Sequence, residues 1–190
     1  SGGLVGSEMC IRDRDNVVVI DNLSSGKLSF IQDHINDGNV EHINHDLTNL
    51  EGMAQYFEGI EMVFHLAANA DIRLGTQITD TDLRHGTVAT YNVLESMRLT
   101  GVNKIVFASS SVVYGENAPM PTPETYGPTI PISLYGASKL AAEGLIGSWV
   151  GTFGFQAWVF RFANIIGERG THGVIFDFIN KLNATPNRLE

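Results

Sequence analysis

The sequence predicts an α/β protein with a doubly wound, mostly parallel sheet, because short apolar runs alternate with segments of helical periodicity. An order of strand, helix, strand and helix favours parallel pairing of the strands. Ligands of such sheets bind at the carboxyl ends of the strands, so functional residues are expected there. The predicted strands lie within residues 16–20, 61–70, 104–109 and 155–161, and the predicted helices within 79–100, 135–150 and 174–182.

The first predicted strand leads directly into an acidic residue. Residues 17–20 are all β-branched, a composition typical of strands that are buried on both faces of a parallel sheet. Asp21 follows them and can accept hydrogen bonds from an adenosine ribose, while no arginine beside it would hold a ribose phosphate. This pattern favours NAD over NADP. The alternative is that Asp21 and Asn22 simply open a polar turn.

The second predicted strand, within residues 61–70, runs into small side chains that would let the backbone approach a cofactor closely. The segment after it, residues 79–100, carries apolar side chains at a spacing close to that of a helix. These apolar residues are Leu83, Val88, Tyr91, Leu94 and Met97.

A tyrosine and a lysine begin the helix that follows the third predicted strand and its serine cluster, residues 109–111. Tyr135 and Lys139 are four residues apart and therefore share one helix face. There the ammonium could lower the phenol pKa, which is about 10 when unperturbed, so that the phenol exchanges protons near neutral pH. A serine hydroxyl from the neighbouring strand end would complete the relay. An ordinary surface pair is the alternative interpretation of this spacing alone.

Six segments, taken together in their order and spacing, resemble the extended short-chain dehydrogenase/reductases. Within that family they resemble the NAD-dependent nucleotide-sugar epimerases and dehydratases, and they look most like UDP-glucose 4-epimerases. The resemblance implies a Rossmann-like fold with NAD as cofactor and a nucleotide sugar of the UDP-glucose or UDP-galactose type as substrate. The matching segments are residues 19–26, 45–47, 64–68, 109–115, 135–139 and 161–167.

The resemblance also implies roles for particular residues. Ser110, Tyr135 and Lys139 would be catalytic, and Ser110, Tyr135 and Asn164 would bind the substrate. The cofactor would touch five parts of the chain. These are a glycine-rich turn, the residues after the first predicted strand at its adenosine, a pair of residues at its adenine, a lining of small residues, and the catalytic tyrosine and lysine. The implied cofactor-binding residues are Gly3, Gly6, Asp21, Asn22, Ser24, Gly26, Lys27, Asp46, Leu47, Leu66, Ala67, Ala68, Tyr135 and Lys139.

The implied reaction is epimerisation of the sugar at its fourth carbon through a transient keto intermediate. Dehydratases of the family carry an acid pair after the active hydroxyl, where this chain has Ser111 and Val112. Tyr135 would take the proton of the fourth hydroxyl, with Ser110 in the relay. The alternatives are another nucleotide-sugar oxidoreductase or dehydratase of the family, or a catalytically silent NAD-binding protein. Gly86 departs from the family, which often has asparagine there.

The chain is divided into three parts by the same resemblance. Residues 1–14 are interpreted as the remnant of a glycine-rich turn followed by a suspected non-native stretch, residues 8–14, with a flexible tag and a genuine short helix as the alternatives. Residues 15–166 form the NAD-binding domain, and residues 167–190 begin a substrate-binding region that is truncated. The family's first strand lies centrally in the sheet, and the resemblance finds neither this strand nor the substrate lobe in the chain. The fragment is therefore expected to be inactive and its intact parent active.

Composition restricts the possible partners. The formal net charge of −9 and the absence of a basic run argue against nucleic-acid binding. No apolar run is long enough to cross a bilayer and no secretory signal is visible, so a cytoplasmic protein is predicted. The six histidines are not at metal-ligand spacing, so no metal is predicted. The helices around Tyr91 and Leu140 predict a possible homodimer, although their apolar faces could equally pack on their own sheet.

Overall fold

The computed structural model describes residues 16–69, 72–165 and 174–185. The strands there are β1 (Val17–Ile20), β2 (Val40–Ile43), β3 (Val63–His65), β4 (Lys104–Ser110) and β5 (Gln156–Phe162). The α-helices are α1 (Gln32–Asn36), α2 (Ile72–Gln77), α3 (Ala89–Thr100), α4 (Leu134–Phe153) and α5 (Val174–Ala184). A π-helix, Leu83–Val88, runs directly into α3, and 3₁₀ turns occupy Leu28–Phe30, Met53–Phe57 and Ser111–Tyr114.

All strand pairs in the described residues are parallel, which confirms the predicted fold class. The strand β1 pairs with β2, and a second group has the order β3-β4-β5. Each predicted strand is present, although the strand predicted within 61–70 is only three residues long. The strand β2 was not predicted, because charged and apolar residues are mixed in its sequence Val-Glu-His-Ile.

The described strands form two groups, with β1 at the edge of one and β3 at the edge of the other. Side-chain packing connects the groups, since Ile20 contacts the core cluster that contains Ile105 and Phe107. The predicted burial of β1 on both faces is wrong for the described structure, where residues 17–20 are all only partly buried. A parallel strand is fully buried only with neighbours on both edges and layers on both faces, and β1 pairs here with β2 alone among the described strands.

The main core lies between β4, α3, α4 and the 3₁₀ turn Met53–Phe57. Leu94 and Met97 of α3 are fully buried, as their helical spacing predicts. Leu83, Val88 and Tyr91, which belong to the same apolar pattern, are exposed. For Leu83 and Val88 the reason is that residues 83–88 form a π-helix, whose i→i+5 turns are wider than α-helical turns and shift the side chains away from the α-helical face.

The helix α4 begins one residue before Tyr135 and ends three residues after the predicted limit, at Phe153. Ser133 caps its N-terminus, because its hydroxyl accepts a hydrogen bond from the backbone N–H of Gly136 at 3.0 Å. Gly154 ends the helix in the left-handed region, with φ of 73°. These caps place Tyr135 in the first turn and Lys139 in the second. Within the described ranges, no helix is both long enough and apolar enough to span a bilayer.

Two leucines on α3 test this packing. We expect Leu94→Ala to lower the free energy of unfolding by about 2–5 kcal/mol, because it leaves a cavity in a close-packed core. Leu99 is 58% exposed on the same helix, so Leu99→Ala should change stability by less than about 0.5 kcal/mol. Urea denaturation followed by circular dichroism measures both variants. Equal losses would contradict the core described above.

Candidate active site

Tyr135 and Lys139 pack together against the end of β4, with the lysine buried and the tyrosine partly buried. Lys139 is only 2% exposed, and its Nζ donates a hydrogen bond to the backbone oxygen of Ala108 at 2.7 Å. The same Nζ lies 5.7 Å from the centroid of the Tyr135 ring and 4.8 Å from that of Phe107. The alternative of an ordinary surface pair is therefore wrong for this protein.

Burial decides the ionisation of the lysine. It lowers the pKa of Lys139 from 10.5 to about 8, because the charged ammonium is costly to remove from water. At pH 7 the ammonium therefore still predominates, so a positive charge stands under the first turns of α4. Its hydrogen bond to Ala108 fixes the height of the helix over β4.

The pKa of Tyr135 differs from the sequence-based expectation. The pKa of its phenol is raised above 10.0, first by burial and then by the carboxylate of Asp82, and the lowering expected from Lys139 is not found. The reason is that a partly buried phenolate loses hydration and also meets a negative charge from the segment that precedes the π-helix. The phenol of the described structure is thus neutral at pH 7.

Asp82 was not recognised from the sequence. It is 2% exposed, and its Oδ1 accepts a hydrogen bond from Nδ2 of Asn69 at 3.0 Å. Its Oδ2 is buried without a hydrogen-bond partner among the described residues. Gly75 leaves the space for this carboxylate, since a Cβ there would overlap Oδ2. No local pattern distinguishes this acid from a surface helix cap.

Ser110 lies at the carboxyl end of β4, as predicted. Its Oγ accepts a hydrogen bond from the N–H of Val112 at 3.4 Å, which begins the 3₁₀ turn Ser111–Tyr114. The neighbouring Ser109 is 4% exposed and donates its hydroxyl proton to Glu143, so its hydroxyl is already engaged. Ser110 is only partly buried, and is therefore the more accessible of these two hydroxyls.

A glycine lets the tyrosine helix approach the serine turn. A Cβ at Gly136 would lie 3.2 Å from the backbone oxygen of Val112 and 2.9 Å from the Cβ of Pro131. Gly136 follows Tyr135 directly, so the first turn of α4 packs on the turn that follows Ser110. Local sequence patterns do not reveal this contact, because its two segments, residues 109–115 and 135–139, are far apart in the chain.

The predicted adenosine residues meet at the carboxyl ends of β1 and β2. Asp21 accepts a hydrogen bond on Oδ1 from the N–H of Leu23 at 2.7 Å, as the polar-turn interpretation expects, and its adenosine contact stays a prediction. A Cβ at Gly26 would lie 2.7 Å from Oδ2 of Asp21, so glycine leaves the space beside this oxygen open. Asn22 donates to Oδ2 of Asp46 at 3.2 Å. This open carboxylate edge fits an adenosine ribose.

Asp46 and Leu47 have structural partners of their own. Thr48 donates to Oδ1 of Asp46 from its backbone N–H and from its hydroxyl, and these bonds lower the pKa of the Asp46 carboxyl. The backbone oxygen of Leu47 accepts a hydrogen bond from Nδ2 of the buried Asn92 at 2.8 Å. The turn that would contact adenine is therefore held from beneath by α3.

For the remaining predicted site residues, the structure gives exposure and position relative to the strands. Leu66 and Ala68 are partly buried and Ala67 is exposed, directly after β3. Asn164 is exposed two residues after β5, at the same sheet edge as Ser110, and Ser24 and Lys27 are exposed after β1. Gly3 and Gly6 lie outside the described residues, as do residues 166–173, which include the start of the predicted substrate-binding region.

A second feature not predicted from the sequence is a hydrogen-bond chain beside the pair. The Thr90 hydroxyl donates its one proton to the oxygen of Gly86 at 2.6 Å, so it must accept from Nε2–H of His65 at 2.9 Å. Burial and the positive charge of Lys139 lower the pKa of His65 to about 3, which keeps its ring neutral. A Cβ at Gly86 would lie 2.5 Å from Oγ of Ser138, so this glycine permits the close contact of the π-helix with α4.

The fold and this strand-end site define a Rossmann-like dinucleotide-binding domain. The model of the NAD dependent epimerase/dehydratase family matches residues 1–189. The chain belongs to this family, which confirms the family predicted from the sequence and the cofactor, NAD, that its description names.

Similar proteins carry epimerase names. The crystal structure of a UDP-galactose 4-epimerase is 41% identical with a TM-score of 0.84, covering 99% of this chain and 62% of that one. The UDP-glucose 4-epimerase of Thermotoga maritima, solved with UDP-glucose, is 32% identical with a TM-score of 0.85, covering 95% of this chain and 60% of that one. The UDP-glucose 4-epimerase of Mycolicibacterium smegmatis is 31% identical, covering 97% of this chain and 61% of the relative. This chain thus spans less than two thirds of their length.

Replacing the Asp82 carboxylate tests the electrostatics of the site. We expect Asp82→Asn to lower the pKa of Tyr135, because the substitution removes a negative charge and leaves the burial in place. Titration of a ¹³C-labelled tyrosine ring by NMR measures this pKa. Asp80→Asn is the matched control. Asp80 lies two residues before Asp82, and it forms an exposed ion pair with Arg84. An unchanged or higher Tyr135 pKa in Asp82→Asn would contradict the assignment.

The buried lysine makes a prediction about stability. A pKa lowered to about 8 in the folded state, against 10.5 in the unfolded state, means that unfolding binds a proton between these pH values. The free energy of unfolding of the wild type should therefore rise by about 3 kcal/mol relative to Lys139→Met as the pH increases from 8 to 10.5. Denaturation of both proteins at several pH values measures this. A difference independent of pH would refute it.

Proposed function

We propose that this chain is the cofactor-binding part of an NAD-dependent nucleotide-sugar 4-epimerase. The observation that carries this proposal is the pair of the partly buried Tyr135 and the buried Lys139, packed at the strand end that bears Ser110. The epimerase names of the similar proteins support the proposal. A sugar that binds at this sheet edge would meet a phenol, an ammonium and a hydroxyl together.

Each residue has a proposed role in proton transfer. Tyr135 takes the proton of the fourth hydroxyl of the sugar through its phenolic oxygen, and Ser110 accepts or donates a hydrogen bond at the same hydroxyl. Lys139 offsets the cost of the phenolate with its ammonium, which is the cation closest to this ring in the described contacts. NAD, when bound, supplies the acceptor and later the donor of the hydride.

The raised pKa of Tyr135 affects the two proton-transfer steps of the proposed reaction differently. A neutral phenol is an acid, and it therefore suits the step that returns a proton to the keto intermediate of the sugar. The opposite step needs the phenolate, which burial and Asp82 disfavour, so the proposal assigns Lys139, whose Nζ lies 5.7 Å from the ring centroid, the role of offsetting this cost. The site thus holds one proton between two opposing charges.

We propose a UDP-hexose of the glucose or galactose type as the substrate, with Asn164 among its contacts. Asn164 is exposed at the edge that bears Ser110, which is compatible with this role. A dehydratase remains the second candidate. It is disfavoured because Ser111 and Val112 supply no acid pair after Ser110.

The homodimer stays a prediction. Exposed apolar side chains on the two helices named for it are compatible with a second copy, and Tyr91 lies edge-on to Trp149 with ring centroids 5.9 Å apart. Exposed apolar residues of the two helices include Tyr91, Leu99, Val150 and Phe153.

The test uses the full-length gene product, because this chain spans about 60% of its relatives. We expect NMR to detect conversion of UDP-glucose to UDP-galactose, and we expect Tyr135→Phe to lower kcat by roughly 10²–10⁴-fold by removing the proton carrier. Tyr91→Phe is the control, since it removes an exposed phenol from α3 and leaves the Tyr135–Lys139 pair intact. An NAD-loaded protein that converts neither sugar would refute the proposed function.

A further inference from the structure

A third residue of α4 lies on the face of Tyr135 and Lys139. Glu143 follows them by eight and four residues, so its side chain emerges over the same strands. Its carboxylate accepts hydrogen bonds from Nε of Arg161 at 3.0 Å and from Nη2 at 2.7 Å. The same carboxylate accepts a hydrogen bond from the hydroxyl of Ser109. One side chain thus ties the tyrosine helix to two strands.

The partners of Glu143 stand at the carboxyl edge of the sheet. Ser109 of β4 and Arg161 of β5 are paired in register, and Ser110 is the next residue of β4. The hydrogen bond of Lys139 to Ala108 lies one residue earlier in the same strand. The helix is therefore fixed to β4 at two successive residues. These two contacts set where Tyr135 stands relative to Ser110.

Arg161 extends the connection to the proline-rich loop, residues 115–133, which joins the 3₁₀ turn Ser111–Tyr114 to α4. Its guanidinium carbon lies 4.7 Å from the centroid of the Tyr114 ring, and its Nη1 donates to the backbone oxygen of Glu124 at 3.4 Å. The rings of Tyr114 and Tyr126 are 6.1 Å apart in an edge-on arrangement. Loop residues on both sides of Pro123 are thereby joined to the strand end.

The pair of Glu143 and Arg161 is more buried than an ordinary surface ion pair, and its orientation is better defined. The side chains of Arg161 and Glu143 are 24% and 12% exposed, and the guanidinium donates through two nitrogens. Such fork geometry fixes orientation as well as distance. Glu95 and Arg98 form an equally short two-nitrogen pair, but both residues belong to α3, so its hydrogen bonds join no second element. The two pairs share their chemistry and differ in what they join.

We propose that Glu143 and Arg161 are positioning residues that set the placement of Tyr135 against Ser110 and hold the loop around Glu124 beside the site. This inference rests on the proposed function for its kinetic consequence, and on the contacts above for its structural one. Neither residue needs to touch the substrate. A small displacement of reacting groups is enough to slow an enzyme by up to about 100-fold.

The kinetic test uses Glu143→Gln and Arg161→Lys in the full-length, NAD-loaded protein. We expect kcat to fall by roughly 10- to 100-fold with little change in KM, because the substrate contacts remain while the proton-transfer geometry shifts. Arg161→Lys keeps the charge and loses the fork, so it answers the question even where Glu143→Gln fails to fold. Glu95→Gln is the matched control and should leave kcat unchanged. Variants with wild-type kcat would overturn the proposal.

A spectroscopic test separates this inference from the proposed function. We expect the ¹³C resonance of the Tyr135 ring, and its titration, to move in Glu143→Gln and to stay unchanged in Glu95→Gln. A wild type without turnover would refute the epimerase proposal, and the moved resonance would still support the positioning role. An unmoved Tyr135 resonance in both positioning variants would overturn it, whatever the wild-type activity.

Discussion

The burial of the Lys139 ammonium is the constraint on which the rest of the site depends. A charged group that is 2% exposed requires a close acceptor, and the backbone oxygen of Ala108 supplies it at 2.7 Å. Because that oxygen belongs to β4, the helix must sit directly on the strand end. Gly136 makes this possible at the Ser110 turn, and Gly86 makes it possible on the side of the π-helix.

The charges around Tyr135 follow from the same burial. Lys139 brings a positive charge beneath the ring, Asp82 brings a negative one from the opposite element, and His65 is held neutral with a pKa of about 3. A phenol between opposite charges in a water-poor site responds strongly to a further charge, since interactions there are weakly screened. Glu143 and Arg161 act farther out, where their fork connects the helix to both strands rather than to the phenol.

Local patterns predicted the parts of the fold that local physics decides. The β-branched run of β1 and the apolar run of β4 each agree with their element, so these strands were recognised from the sequence. The strand β2 was missed because its mixed polarity lacks a pattern, and the π-helix because apolar spacing does not reveal a wider turn. The pairing of Glu143 with Arg161, and the burial of Asp82, depend on tertiary contacts that spacing cannot express.

The central claim is that Tyr135 and Ser110 together receive the hydroxyl at the fourth carbon of a nucleotide sugar. A crystal structure of the full-length protein with NAD and UDP-glucose tests it most directly. The account predicts that this hydroxyl lies about 2.6–3.2 Å from both the Tyr135 phenol oxygen and the Ser110 Oγ. A sugar bound with its fourth hydroxyl beyond the reach of both side chains would contradict the account.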